Sequence, residues 1–287
     1  GRDHLDLHGS TEEYFRAKAR LFVPAFTPLA VVNVDDTYGR LLADTIEGND
    51  DLRVVRVSLD DVEDVQVGGV SHSYRWRQRD VTVPIGGHFN VANSLVALST
   101  AVELGIDADV AVAGLANVRP IPGRFEAVPA ATERDLTVIV DYAHTPDGLA
   151  EVLASARTVA APGSTVVVVF GAGGERDREK RPEMGAVAAR LADRVIVTSD
   201  NPRHEDPNTI IADILSGMND VTSGPPAAEI VTESDRRAAI ALALDTIVPG
   251  DVLVIAGKGH ERTQDIGDRV IDFDDRVVVT ELLGASA

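Results

Sequence analysis

The chain has 287 residues, 44% of them hydrophobic, with 46 Asp and Glu against 27 Lys and Arg, a formal net charge of −19 and no cysteine. Length and apolar content predict about two globular domains with real cores. The acidity speaks against nucleic acid or an anionic membrane as the main partner. The lack of cysteine excludes disulfides and thiolate metal sites and is compatible with the cytosol, and no signal peptide or membrane-length apolar run is recognised.

The first stretch, from Gly1 to Gly9, is dense in imidazole and carboxylate, with His4 between Asp3 and Asp6. Three such residues offer a hard divalent ion a place, and equally occur in an ordinary exposed turn. A helix follows, opened by a Ser10/Glu13 capping-box pattern. Helical spacing puts Tyr14, Phe15, Ala19, Leu21 and Phe22 on one face with Lys18 near its middle, where it is either a snorkelling side chain or a functional amine. Lys18 is one of only three lysines, with Lys180 and Lys258, in a chain that otherwise uses arginine. Such retained lysines draw attention.

Ala30 to Asp35 reads as a buried strand, followed by a short helix near Tyr38 to Ile46. Val54 to Val83 alternates apolar and polar residues around a Gly68-Gly69 turn, which predicts an antiparallel edge of the sheet with Trp76 packed in it. His88 to Asn93 opens a helix ending near Gly105, with Asn90 and Asn93 in its first turn; capping accounts for one asparagine and leaves the other for a ligand. Arg119-Pro120-Ile121-Pro122-Gly123 breaks the periodicity and marks a boundary between domains 1–118 and 119–287.

Beyond it, strands near 137–142, 165–170, 194–198 and 251–256 alternate with helices near 145–160, 182–192, 207–217 and 234–247. That alternation predicts βαβ units, right-handed crossovers and a mainly parallel sheet in an α/β fold. The polar residues gather after successive strands: Asp141 to Pro146, Gly171 to Asp177, Thr198 to Arg203 and Gly257 to Glu261. All four stretches should line one edge, where open α/β sheets bind ligands. In the third, Arg203 offers a fork of donors suited to a carboxylate, Asn201 both donates and accepts, and Pro202 limits the loop; the alternative is an ordinary turn before the Asp206-Pro207 helix start. Six of the seven histidines, His4, His8, His88, His144, His204 and His260, lie in or beside these stretches. No GxxxxGK[ST] phosphate loop occurs; Gly257-Lys258 is followed by Gly259.

The ordered set RDHLDLHG, YFRAKARLF, VVNVDD, HFNVANS, GRFE, DYAHTPDGL, FGAGGERDREKRPEMG, TSDNPR and AGKGHE resembles the Mur ligase family, nearly end to end. Glu175 and Glu179 depart from the aspartate and glycine more often found there. The resemblance implies the later part of a central ATPase domain followed by a Rossmann-like domain that binds an amino acid. It further implies ATP and Mg²⁺, a cytoplasmic monomer, and addition of meso-diaminopimelate to UDP-N-acetylmuramoyl-L-alanyl-D-glutamate, with the chain alone inactive for want of the phosphate loop. Carried over residue by residue, it makes Lys18 a carbamylated lysine and His4 a magnesium ligand. Asn90, Asn93, Arg124, Asp141 and His144 fall to ATP, and Arg176, Asp200, Asn201, Arg203, Gly257 and Glu261 to meso-diaminopimelate. The L-lysine-adding ligases, folylpolyglutamate-type ligases and a non-catalytic amino-acid-binding module are the alternatives.

Overall fold

The computed structural model describes residues 10–218 and 228–285. Helix α1 (Thr11–Ala19) starts at Ser10, whose hydroxyl accepts from the Glu13 amide at 3.1 Å; the Glu13 carboxylate turns instead to Arg16, leaving half a capping box. The expected apolar face is not buried. None of the α1 residues is buried, Leu21 lies past its end at 61% exposure, and Phe15 meets only the Tyr38 ring, at 6.0 Å, among the described aromatic contacts.

Strand β1 (Leu29–Asn33), helix α2 (Thr37–Ile46) and strand β2 (Arg53–Val57) follow, with β1 and β2 paired in parallel. The alternation predicted as one antiparallel edge from Val54 onward thus divides. Its first residues join β1, and β3 (Val62–Val67), β4 (His72–Trp76) and β5 (Arg79–Val83) form a separate antiparallel sheet of three. The reason is Leu59–Asp61, a capped 3-10 turn that ends β2 and redirects the chain. Trp76 packs as expected, with Tyr74, Val81 and Val83, under Val91, Leu95 and Leu98 of helix α3 (Phe89–Glu103), and α4 (Ala108–Ala116) closes this core.

The remaining strands are β6 (Glu126–Ala127), β7 (Thr137–Asp141), β8 (Val166–Phe170), β9 (Arg194–Val197), β10 (Glu229–Thr232) and β11 (Val252–Ala256), with the short helix α5 (Pro129–Thr132) between β6 and β7. They form a six-stranded sheet in the order β10-β9-β8-β11-β7-β6, parallel except for β6 against β7. The central strands are β-branched runs buried throughout, TVIVD being the least uniform, as parallel strands covered on both faces require. Alternation sends Val166, Val168 and Phe170 toward α6 (Pro146–Val159), α7 (Lys180–Leu191) and α8 (Pro207–Met218). Val167, Val169 and Ile255 face α9 (Arg236–Leu244) and α10 (Asp275–Ala285). Four of these strands match the predicted set to within a residue or two. Helix α10 and the hairpin β12 (Thr263–Asp265) with β13 (Val270–Asp272) were not foreseen. No helix among the described residues is long and apolar enough to cross a membrane.

Candidate active site

Because β7, β8, β9 and β11 are parallel, the four polar stretches leave the sheet at the same edge and converge. They enclose a cavity of about 280 Å³ whose lining includes Arg176, Asp200, Asn201, Arg203, Gly257 and Glu261. All six of the residues assigned to an amino-acid substrate therefore share one space. Glycine lets these loops touch: a Cβ on Gly174 would sit 1.9 Å from the Pro202 carbonyl oxygen. At Gly257, φ is +110° and a Cβ would meet Asp200 Oδ2 at 2.4 Å. Asp200 Oδ2 is itself buried without a hydrogen-bond partner in this structure, 4.0 Å from Arg236 Nη1. Arg203 takes a left-handed backbone at φ 53° and donates through Nη1 to the Gly174 carbonyl at 2.7 Å, which points the guanidinium along the cavity wall.

Three buried cations hold these loops. Arg181, fully buried, donates to the Gly173 carbonyl at 3.1 Å, to Glu205 at 3.0 and 3.1 Å and to Asp213 at 2.9 Å, tying the glycine-rich loop to the segment after Arg203. Hydrogen bonds from Arg181 first, and from the Glu175 amide second, push the Glu205 carboxyl down to about 2. Arg236 grips Asp275 through two bonds of 2.8 Å and donates to the carbonyls of Ser199 and Ala256, so the ends of β9 and β11 share one anchor. Lys258, also fully buried, reaches Asn201, Glu261 and the Thr263 carbonyl.

A second cavity, of about 530 Å³, adjoins the first across Tyr142 and His144, which line both. Its other walls include Phe89, Asn93, Arg124 and Asp141. Four of the five residues assigned to ATP thus lie together. Asn90 does not line it: buried behind, it donates to the Gly86 carbonyl at 2.7 Å and accepts from Asn93 at 3.0 Å, so it orients Asn93. Asp141 accepts from the Phe125 and Ala143 amides, both at 2.7 Å, which fastens the GRFE stretch to the end of β7. Burial pushes its carboxyl up, opposed by those two N–H groups and by Arg124. The Arg124 guanidinium lies 4.9 Å over the Tyr142 ring, which also meets His144 and His260. The arrangement puts an aromatic surface and a cation together on one wall of this cavity.

Residues 1–101 match the Mur ligase middle domain and residues 123–259 the Mur ligase glutamate ligase domain. The chain belongs to the Mur ligase family. The protein from Thermosynechococcus vestitus named UDP-N-acetylmuramoyl-L-alanyl-D-glutamate--2,6-diaminopimelate ligase is 42% identical over 285 residues, covering 96% of this chain and 55% of that protein. Its namesake from Synechococcus elongatus is 44% identical over 282 residues with the same coverage. A solved structure of that name superposes with a TM-score of 0.62 at 36% identity, covering 100% of this chain and 59% of the other. A Mycobacterium tuberculosis folylpolyglutamate synthase shares the fold, with a TM-score of 0.67 at 21% identity over 100% of this chain and 61% of its own. The chain spans about half the length of the curated Mur ligase relatives it matches, 55% in both cases.

Of the two residues assigned to magnesium, only Lys18 falls among the described residues. His4 lies outside the described residues. Lys18 is exposed, its ammonium 4.4 Å from the centre of the Tyr14 ring, and it lines neither cavity. Among the described residues no group of three or more His, Cys, Asp or Glu is disposed to hold a metal ion. Sequence reasoning passed over Arg181, hidden in the charge run Asp177 to Arg181, and Arg236, where nothing in the sequence distinguishes a buried arginine from a solvated one. Lys258 did carry a signal, as one of three lysines.

Proposed function

We propose that this chain carries the amino-acid site, and part of the nucleotide site, of a ligase that uses ATP to add meso-diaminopimelate to UDP-N-acetylmuramoyl-L-alanyl-D-glutamate in peptidoglycan synthesis. The observation that carries the reading is the opposition of charge in the smaller cavity, where Arg176 and Arg203 share a lining with Asp200 and Glu261. A diamino diacid has a carboxylate and an amine at each end, and this lining offers partners for both. Asp200, whose Oδ2 is buried without a hydrogen bond 4.0 Å from Arg236 Nη1, adds a carboxylate to the lining for an ammonium to face. Arg203 is suited to the distal carboxylate, the group that separates diaminopimelate from L-lysine.

ATP supplies the phosphoryl group that activates the D-glutamate side-chain carboxylate; the amine then adds to the acyl carbon and phosphate leaves. This chain's contribution is to hold the nucleoside beside Asn93, Arg124, Asp141 and His144 and the amine in the adjoining cavity. The shared wall of Tyr142 and His144 keeps the two ligands neighbours, which lowers the entropy cost of bringing them together. With the full-length protein, ATP, magnesium and the UDP-dipeptide, phosphate release should follow addition of meso-diaminopimelate and not of L-lysine. Arg203→Ala should cut kcat/KM for meso-diaminopimelate by about 30-fold, the loss of one charge-assisted hydrogen-bonded contact of about 2 kcal/mol. Equal turnover with L-lysine, unmoved by Arg203→Ala, would assign the chain to the L-lysine-adding enzymes instead.

A further inference from the structure

Asn201 and Glu261 both line the cavity, and the Asn201 amide donates through Nδ2 to Glu261 Oε2 at 2.8 Å. An amide is nearly symmetric in shape, so something has to choose which end points where. The choice is made from beneath. Lys258 Nζ, on a residue with 0% exposure, donates to Asn201 Oδ1 at 3.3 Å, to Glu261 Oε2 at 3.1 Å and to the Thr263 carbonyl at 2.6 Å. The Asp265 amide adds a second donor to Asn201 Oδ1 at 2.9 Å. With Oδ1 held by two donors, a flipped amide would turn its NH₂ group onto an ammonium and its oxygen onto a carboxylate, both repulsive.

We infer that Lys258 is a positioning residue for substrate selection: from outside the cavity lining it fixes the Asn201 amide and the Glu261 carboxylate as one donor–acceptor pair that reads the ammonium and carboxylate of an amino acid. The inference rests on the amino-acid reading of this cavity for its ligand, but the positioning itself does not depend on which amino acid binds. Lys258 stands between two glycines with left-handed backbone, Gly257 at φ 110° and Gly259 at φ 51°, and its side chain is buried. Its third bond, to the Thr263 carbonyl at the start of β12, also seats the hairpin that supplies Asp265.

The test is the side-chain amide resonance pair of Asn201, identified by its loss in Asn201→Asp and followed by NMR in the 287-residue chain, together with calorimetric titration of meso-diaminopimelate. In Lys258→Met the Asn201 pair should shift and broaden, and affinity for meso-diaminopimelate should fall at least tenfold. Since that variant leaves Glu261 unpaired, Lys258→Met/Glu261→Gln, which removes both charges, is compared with Glu261→Gln alone, and the same displacement of the Asn201 pair is expected. Unchanged Asn201 resonances in folded variants would overturn the inference. Displaced resonances in a chain whose wild type binds no diamino acid would uphold the positioning and sink the substrate reading instead. Displaced resonances with wild-type affinity for meso-diaminopimelate would overturn the selective role.

Discussion

Strands β1 and β8 are written in similar letters, LAVVN and VVVVF, and meet opposite fates. Every residue of β8 is buried, whereas in β1 only Ala30 and Val32 are. The difference is company: β8 has strands on both edges and helices on both faces, while among the described residues β1 has β2 as its only strand neighbour. Near β1 in sequence the apolar side chains Phe26 (69%), Leu21 (61%) and Tyr38 (51%) are exposed. Loops that carry chemistry need anchors, and the anchors found here, Arg181, Arg236 and Lys258, all lie on helices and a loop packed around the six-stranded sheet. A valine run thus predicts a strand, but not how many neighbours it will have.

The contrast breaks most visibly at Arg181. Replacing it with methionine keeps much of the volume and leaves Glu205 and Asp213 without their shared cation. The expected cost is about 3 kcal/mol, toward the low end for stripping one partner from a buried pair because Asp213 can turn to water. Urea unfolding followed by circular dichroism measures it. The result should also carry a pH signature. The Glu205 pKa is held near 2, so its contribution is present above the ordinary carboxylate pKa and lost as pH falls toward 2; Arg181→Met should flatten that acid limb. A cost below 1 kcal/mol would mean that the site loops are held without this clamp.

How far the sequence reached follows the same division. The parallel sheet and its cavity were legible because buried parallel strands read as continuous apolar runs and because ligand loops sit at their carboxyl ends, so Arg176, Asn201, Arg203 and Glu261 could be placed together before any coordinates. The division of Val54 to Val83 between two sheets was not legible, since period-two alternation marks a strand and is silent on its partner. The clamps were hidden because charge runs read as solvated surface, and only three-dimensional placement turns Arg181 inward. The resemblance assigned Asn90 to ATP together with Asn93, yet its place behind Asn93 depends on the carbonyl of Gly86 four residues earlier.

A smaller effect tests whether the amino-terminal part is uniformly loose. The β3–β5 sheet contains a buried polar group, His72, whose Nδ1 donates to the Ile85 carbonyl at 2.6 Å and whose Nε2 meets Ser94 Oγ at 2.9 Å. Burial holds this imidazole below its ordinary pKa, with the Ile85 carbonyl opposing. The unfolded chain therefore binds the proton first, so stability should fall as pH drops below about 6.5, the unfolded value. Comparing urea midpoints at pH 7.5 and 5.5 for the wild type and for His72→Gln isolates the effect, since glutamine does not titrate. Equal pH dependence in both would mean that this core opens before the rest and that the looseness extends from β1 to α3.

The smallest change is expected at the other lysine. Lys18 is exposed and meets the Tyr14 ring at 4.4 Å, a contact worth about 0.5 kcal/mol at an exposed site. Lys18→Met should move the urea midpoint by no more than that, whereas Lys258→Met, at 0% exposure, removes three hydrogen bonds at once. The pair separates two reasons for a lysine to survive in an arginine-rich chain. One is architecture, read as stability; the other is an amine kept for chemistry, read only as turnover of the full-length protein. A loss of several kcal/mol in Lys18→Met would show that α1 is anchored through its lysine, and the amino-terminal part would then be better built than its exposed surface indicates.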